Sequence, residues 1–449
     1  MPDLSIDFAG IKSPNPFWLG SGPPTNSGDQ VMRAFDAGWG GAVWKTLGTP
    51  IVNVSGRLGS LDYGGQRMMG LNNIELITDR PLDVNFREIT ETKKRFPNHA
   101  VIVSLMFESR EEWVEAIKRS EDTGADGLEL NFGCPHGMCE RGMGSAVGQE
   151  PEVLEELVRW VMDAATIPVI VKLTPNITDV RVPARAAQRA GGNAVSLINT
   201  VQSIMGVNLD DLTLRPSVAG DSTHGGYCGP AVKPIALRMV GQLARDPEFH
   251  LPVSGIGGVT TWRDAAEFMA LGAASVQVCT AAMHYGFRIV EDLIEGLDGY
   301  LAEKGMASVN ELVGAAAPRS KEWGDLDINY HAVAKINEAT CIGCQLCVVA
   351  CMDGAHQCIH EPGVEAIAGH VAPMAETAAL KASQATADDP YRVPWVDETE
   401  CVSCNLCELV CPVEGCITME EQRRDPAKDT WNTRVAEGRD QVPGGLDEL

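Results

Sequence analysis

Eight short apolar segments, each followed by a stretch of helical periodicity, dominate the first three hundred or so residues: "PFWLGSG", "GAVWKTLG", "VIVSLMF", "GLELNFG", "PVIVKLTP", "AVSLINT", "LPVSGIGG" and "SVQVCTA". Apolar runs of this length separated by amphipathic helices build parallel βα units, because a strand buried on both faces needs a helix to carry the chain back. Eight such units close the sheet on itself, so the expected fold class is α/β, a (β/α)8 barrel. A doubly wound open sheet is the alternative, and the number of units favours closure.

Polar residues stand where these strands end, the face that carries chemistry in such a barrel. Lys45 ends the second strand, Asn131 the fourth, Lys172 the fifth, and Asn199 with Thr200 the sixth. Two lysines on otherwise apolar strands call for an anionic partner, since an ammonium buried alone is costly. "SGIGGV" after the seventh strand and "CTAAM" after the eighth offer glycines and backbone N–H groups suited to a phosphate. Flavin mononucleotide (FMN) meets the whole set. Gly257, Gly258, Cys279 and Thr280 would hold its phosphate, Lys172 would face the ring edge that turns anionic on reduction, and Lys45 would do similar work nearby.

Eight of the fourteen cysteines lie in two tight runs. "CIGCQLCVVAC" places Cys341, Cys344, Cys347 and Cys351 at C-x2-C-x2-C-x3-C spacing, and "CVSCNLCELVCP" repeats it at Cys401, Cys404, Cys407 and Cys411. Three thiolates two residues apart wrap three corners of an iron–sulfur cubane, and the fourth reaches the partner cluster. Cluster one would take Cys341, Cys344, Cys347 and Cys411; cluster two would take Cys401, Cys404, Cys407 and Cys351. A pair of zinc sites would need only C-x2-C pairs, less than the runs supply. Met352 stands where proline would follow the first run, and Cys358 and Cys416 read as buried neighbours of the ligands. The expected second domain is an α+β, ferredoxin-like 2[4Fe-4S] fold. Flavin is the common converter between its single electrons and two-electron chemistry.

The loop "NFGCPHGMCERGMG" follows the fourth strand on the catalytic face. Its Cys134 and Cys139, with His136 between, have a spacing that admits a zinc site or a disulfide. Pro135 and the glycines read instead as a mobile lid, with Cys134 as a proton donor, since a thiol with a pKa near ~8.5 is mostly protonated at neutral pH. Asn73, Asn131 and Asn199 each offer an acceptor and two donors, matching a flat ring edge of alternating carbonyl and N–H such as that of uracil or thymine. Glu75 could accept from a ring N–H or a ribityl hydroxyl.

Together "NFGCPHGMCERGMG", "NNIELI", "VKLTPN", "INT" and the paired cysteine runs resemble the C-terminal part of dihydropyrimidine dehydrogenases, and among them the flavin and iron–sulfur subunit of the two-subunit bacterial form. The resemblance implies an FMN barrel like that of dihydroorotate dehydrogenases, with Cys134 as the proton donor. It implies pyrimidine contacts at Asn73, Glu75, Ile77, Asn131, Asn199 and Thr200. Flavin contacts fall on Ser21, Lys45, Thr46, Lys172, Gly229, Gly257, Gly258, Cys279 and Thr280. Gly133 replaces a serine often present before the cysteine, and Cys139 replaces a glycine. No G-x-G-x-x-G stands at a strand-to-helix turn near the N-terminus, so electrons would enter from a separate FAD- and NAD(P)H-binding iron–sulfur flavoprotein in a hetero-oligomer.

The activity so implied is reduction of the 5,6 double bond of uracil or thymine, the opening step of pyrimidine catabolism. Reduced FMN would give a hydride to carbon 6 and Cys134 a proton to carbon 5. A dihydroorotate dehydrogenase, a tRNA dihydrouridine synthase and a non-catalytic electron-transfer subunit are the rivals. A formal charge of −25 argues against a nucleic-acid partner. No apolar run approaches the ~18 residues of a membrane span, and the acidic start "MPDLSIDFAGIK" is unlike a secretory signal, so a cytoplasmic protein is expected. The expected domains are a barrel over 1–305, a linker over 306–335, the ferredoxin-like domain over 336–420 with an inserted segment at about 362–392, and a polar tail over 421–449.

Overall fold

Eight parallel strands close the barrel in the computed structural model, which describes residues 2–361, 393–422 and 427–440. The strands are β1 (Phe17–Leu19), β2 (Gly41–Gly48), β3 (Ala100–Met106), β4 (Gly127–Asn131), β5 (Val169–Lys172), β6 (Ala194–Leu197), β7 (Val253–Ile256) and β8 (Ala273–Val278). Each pairs with its sequence neighbours, and β8 pairs with β1 to shut the ring. The major helices after them are α1 (Gly28–Ala37), α2 (Leu82–Arg95), α3 (Arg110–Asp122), α4 (Pro151–Ala164), α5 (Arg181–Arg189), α6 (Lys233–Ala244), α7 (Trp262–Ala270) and α8 (Ile289–Lys304), one per strand. Their starts are written locally: at α3, Ser109 Oγ accepts the Glu112 amide while Glu112 accepts the Ser109 amide, and Thr261 and Asp264 repeat this box at α7.

Strand residues are buried almost throughout, and Trp18, Trp44, Phe17 and Leu19 are among the fully buried side chains. A hairpin of Ile6–Phe8 and Ile11–Ser13 precedes β1, and Phe8 packs edge-on against Trp18 with ring centroids 5.4 Å apart. Two insertions interrupt the alternation. One after β2 contributes strands Leu58–Tyr63 and Gln66–Asn73; one after β6 contributes Val201–Ser203 and Gly225–Cys228. These four form a separate antiparallel sheet in the order Val201–Ser203, Gly225–Cys228, Gln66–Asn73, Leu58–Tyr63.

The chain divides into two compact units, Met1–Ser320 and Lys321–Leu449. Residues 306–320, expected within a linker, lie in the first unit, where Val309 is fully buried and its amide donates to the Asp3 carbonyl. In the second unit, strands Ala332–Ile336 and Ile417–Glu421 pair antiparallel, as do Ile359–His360 and Trp395–Val396. Two short helices, Leu346–Gly354 and Leu406–Leu409, each begin after a left-handed residue, Gln345 with φ 63° and Asn405 with φ 65°. The cysteine repeat is therefore also a structural repeat. The expected insertion at 362–392 lies outside the described residues. Part of the expected tail is ordered against this unit: Thr430 caps a helix Trp431–Ala436, Asp429 binds Arg434 and Arg439, and Trp431 meets Trp323 edge-on with centroids 6.0 Å apart. Among the described residues no helix is long and apolar enough to cross a membrane.

Candidate active site

A cavity of about 1240 Å3 opens in the first unit, lined by the ends of the barrel strands and the loops that follow them. It gathers Ser21, Lys45, Thr46, Asn73, Glu75, Asn131, Cys134, Lys172, Asn199, Thr200, Gly229, Gly257, Gly258, Cys279 and Thr280, residues drawn from all along the first 280 positions. Of the expected contacts, Ile77 alone does not line it. Its side chain is fully buried in a small cluster with Met106, Cys134, Met138 and Met143, where it supports the thiol loop instead of facing the cavity.

Local backbone explains how Lys45 and Thr46 reach the cavity. The register between β2 and β3 shifts between Trp44 and Leu47, so that Lys45 and Thr46 oppose the single residue Ser104. Such a bulge turns side chains away from the regular alternation. Thr46 Oγ1 then lies 2.9 Å from Ser104 Oγ, and the Thr46 amide donates to Ser21 Oγ at 3.1 Å. An amide chain continues from there: Asn131 Nδ2 donates to Thr46 Oγ1 at 3.0 Å, and Asn199 Nδ2 donates to Asn131 Oδ1 at 2.9 Å. Gly133 sits against this chain. A Cβ there would lie 2.4 Å from Asn199 Cβ, so a side chain at position 133 would displace the asparagine.

Both lysines that line the cavity are paired. Lys45 Nζ donates to Glu75 Oε1, which also lies 3.5 Å from Arg57 Nε. Lys172 Nζ donates to Glu129 Oε1 at 3.2 Å. Glu129 is wholly buried inside the barrel, and its other oxygen accepts from Ser196 Oγ at 2.8 Å and Gln277 Nε2 at 3.1 Å. Three cations and two neutral donors thus compensate two buried carboxylates whose isolation would be strongly unfavourable. Glu129 and Arg57 were not among the sequence candidates. The signal for Glu129 was a carboxylate in the middle of the apolar strand "GLELN"; Arg57 carried none.

The loop after β4 holds Cys134 at the cavity wall with 6% of its surface exposed. The Ser145 amide donates to the Cys134 carbonyl at 2.9 Å, and the thiol lies 3.6 Å from the His136 carbonyl. Gly144, at φ 59°, passes so close that a Cβ would meet the Cys134 oxygen at 2.6 Å. Burial pushes the Cys134 thiol up to about 11. His136 Nε2 lies 2.9 Å from the Glu75 carbonyl oxygen, and burial lowers the imidazole pKa. The neutral ring donates there. No disulfide joins any of the fourteen cysteines, and Cys139 accepts from Ser145 Oγ at 3.1 Å.

The cavity suits a flavin phosphate and ring. At Gly258, φ 79°, a Cβ would lie 2.8 Å from the Gly229 oxygen and 2.9 Å from the Lys233 amide nitrogen, so two loops meet there with backbone exposed to the space. Gln277 Oε1 is buried and finds no hydrogen-bond partner among the described residues, and a donor on a bound group would satisfy it.

In the second unit the cysteine runs enclose two smaller cavities of about 330 Å3 each. One is lined by Cys341, Cys344, Cys347, Cys411 and Cys416, the other by Cys351, Cys358, Cys401, Cys404 and Cys407. Each therefore mixes three cysteines of one run with the fourth of the other. Among the described residues no three metal-ligating side chains converge as on a single ion; the thiols surround a space.

A family model described as dihydroorotate dehydrogenase matches residues 3–301. The chain belongs to the dihydroorotate dehydrogenase family. Within it, the chain is 42% identical over 421 residues to the NAD-dependent dihydropyrimidine dehydrogenase subunit PreA of Escherichia coli K12, covering 93% of this chain and 96% of that protein. It is 43% identical over 326 residues to the chloroplastic dihydropyrimidine dehydrogenase (NADP(+)) of Arabidopsis thaliana, covering 70% and 76% respectively. It is 39% identical over 320 residues to the catalytic subunit of dihydroorotate dehydrogenase B (NAD(+)) of Pyrococcus abyssi, covering 70% of this chain and 99% of that one. One relative is thus matched over nearly all of its own length by 70% of this chain, and another shares nearly the whole chain.

Proposed function

We propose that the chain is the FMN and iron–sulfur subunit of a two-subunit dihydropyrimidine dehydrogenase, reducing the 5,6 double bond of uracil or thymine. The observation that carries the substrate reading is the pairing of both cavity lysines with carboxylates, Lys45 with Glu75 and Lys172 with Glu129. A substrate carboxylate such as that of orotate would need a cation beside it, whereas a neutral ring needs only amides. The cavity offers those in Asn73, Asn131 and Asn199. The acceptor oxygen of Asn73 is taken by the Glu75 amide, leaving its NH2 to donate to a ring carbonyl.

When bound, FMN supplies the hydride, and two [4Fe-4S] clusters supply electrons one at a time from a separate FAD- and NAD(P)H-binding subunit. Ser21, Lys45, Thr46, Lys172, Gly229, Gly257, Gly258, Cys279 and Thr280 would hold the flavin. Cys341, Cys344, Cys347 and Cys411 would hold one cluster, and Cys401, Cys404, Cys407 and Cys351 the other. The chain's own part in the chemistry is to keep a flat ring against the amide chain, exclude water with the loop after β4, and hold a proton on Cys134 Sγ for a ring carbon. A thiol at about 11 keeps that proton at neutral pH.

The test is to purify the chain without oxygen, measure flavin and iron, and supply a chemical reductant with uracil or orotate. Uracil turnover with about eight iron atoms per chain, four per cluster, is expected; preferred turnover of orotate would overturn the substrate reading. Cys134→Ala should retain flavin and lose turnover at pH 7 by roughly 10²–10⁴-fold, the usual scale for removing a general acid.

A further inference from the structure

The two cysteine-lined cavities differ in what their fifth sulfur does. In the cavity for cluster one, the additional thiol, Cys416, donates to the Asn337 carbonyl at 3.8 Å. In the other, Cys358 Sγ lies 3.6 Å from Cys351 Sγ. Cys358 is 5% exposed, and its backbone is fixed: Ile359 pairs with Val396, and the Asp397 amide donates to the Cys358 carbonyl at 2.7 Å. Its amide donates to Cys351 Sγ at 3.3 Å. Once Cys351 is a thiolate on a cluster, the proton between the two sulfurs sits on Cys358.

We propose that Cys358 is a hydrogen-bond donor to the Cys351 ligand sulfur of cluster two, making that cluster the better electron acceptor of the pair. The inference rests on the cluster reading above. Reduction adds negative charge to a cluster and its sulfurs, so a donor fixed on those sulfurs favours the reduced state more than the oxidised one. The matching thiol of cluster one spends its proton on a carbonyl and contributes no such bias. Electrons shared between the two clusters then settle on cluster two. An S–H is a weak donor, so its removal should lower the reduction equilibrium constant about three- to tenfold; tenfold corresponds to about 59 mV for one electron.

The experiment uses the full chain, prepared anaerobically as wild type, Cys358→Ala, Cys358→Ser and Cys416→Ala. Iron is counted first, and the two clusters are then titrated under electron paramagnetic resonance. The backbone amide donor to Cys351 survives in Cys358→Ala, so that variant isolates the thiol. The expected result is unchanged iron, a lower midpoint potential for one cluster in Cys358→Ala, a smaller change in Cys358→Ser, and both potentials unmoved in Cys416→Ala. Unmoved potentials in Cys358→Ala, or an equal shift in Cys416→Ala, would overturn the donor role. Loss of half the iron in Cys358→Ala would also overturn it, by making Cys358 a ligand. Wild-type protein without iron would remove the clusters themselves, a failure seen before any titration begins.

Discussion

Cys134 draws its chemical value from burial. Its thiol is pushed up to about 11, with Cys228 also to about 11 and Cys279 to about 12, in each case chiefly because burial disfavours the thiolate. In an unfolded chain these groups titrate near ~8.5. A folded pKa raised this way adds stability that is whole below the unfolded value and is lost as pH rises through the folded one. The melting temperature should therefore fall between about pH 9 and pH 11, measured by differential scanning fluorimetry of the anaerobic protein. The rate at saturating pyrimidine should show no acid-group break near pH 8.5; a break there would mean a solvated thiol. Glu129 gives a second test. Glu129→Gln leaves Lys172 buried without a counter-charge, so stability should drop by about 3–5 kcal/mol in denaturant titrations, with weaker flavin retention. The sequence exposed Lys45, Lys172 and the asparagines because polar residues closing apolar strands stand out. It did not expose Glu129, whose partners come from β5, β6 and β8, nor the inward packing of Ile77, because side-chain direction depends on tertiary register.

At the scale of elements, the eight strands were legible for a plain reason: parallel strands buried on both faces are nearly unbroken apolar runs. The bulge in β2 was not, since one unmatched residue leaves no mark in "GAVWKTLG" until the neighbouring strand is in place. The four-stranded antiparallel sheet was also missed. Its strand Leu58–Tyr63 is largely exposed, and its two halves are more than 120 positions apart in pieces too short to show a period. The thiol loop holds Cys134 at the cavity wall, and its geometry hangs on Gly144. Gly144→Ala would force a Cβ within 2.6 Å of the Cys134 oxygen in a left-handed conformation that alanine tolerates poorly. Turnover should fall by at least tenfold with flavin content unchanged, read from steady-state kinetics beside the absorbance spectrum; undiminished turnover would show that the loop relaxes freely.

For the molecule as a whole, the cysteine repeat and the barrel are separate units of one chain, each with its own core. The C-terminal stretch reads in the sequence as a polar tail, because a polar segment with one aromatic gives no hint that Trp431 will find Trp323. The antiparallel sheet has a broader consequence. Its two contributing insertions leave β2 and β6, which are four places apart in a ring of eight and so stand on opposite sides of it. The Asn72 side chain, from the first insertion, donates to Ser203 Oγ, from the second, at 2.8 Å. Like a strut across a drumhead, this sheet couples far sides of the rim. Backbone amides of Leu71–Asn73 and Gly225–Tyr227 should exchange with deuterium at one shared rate, and loosening either insertion should speed both together.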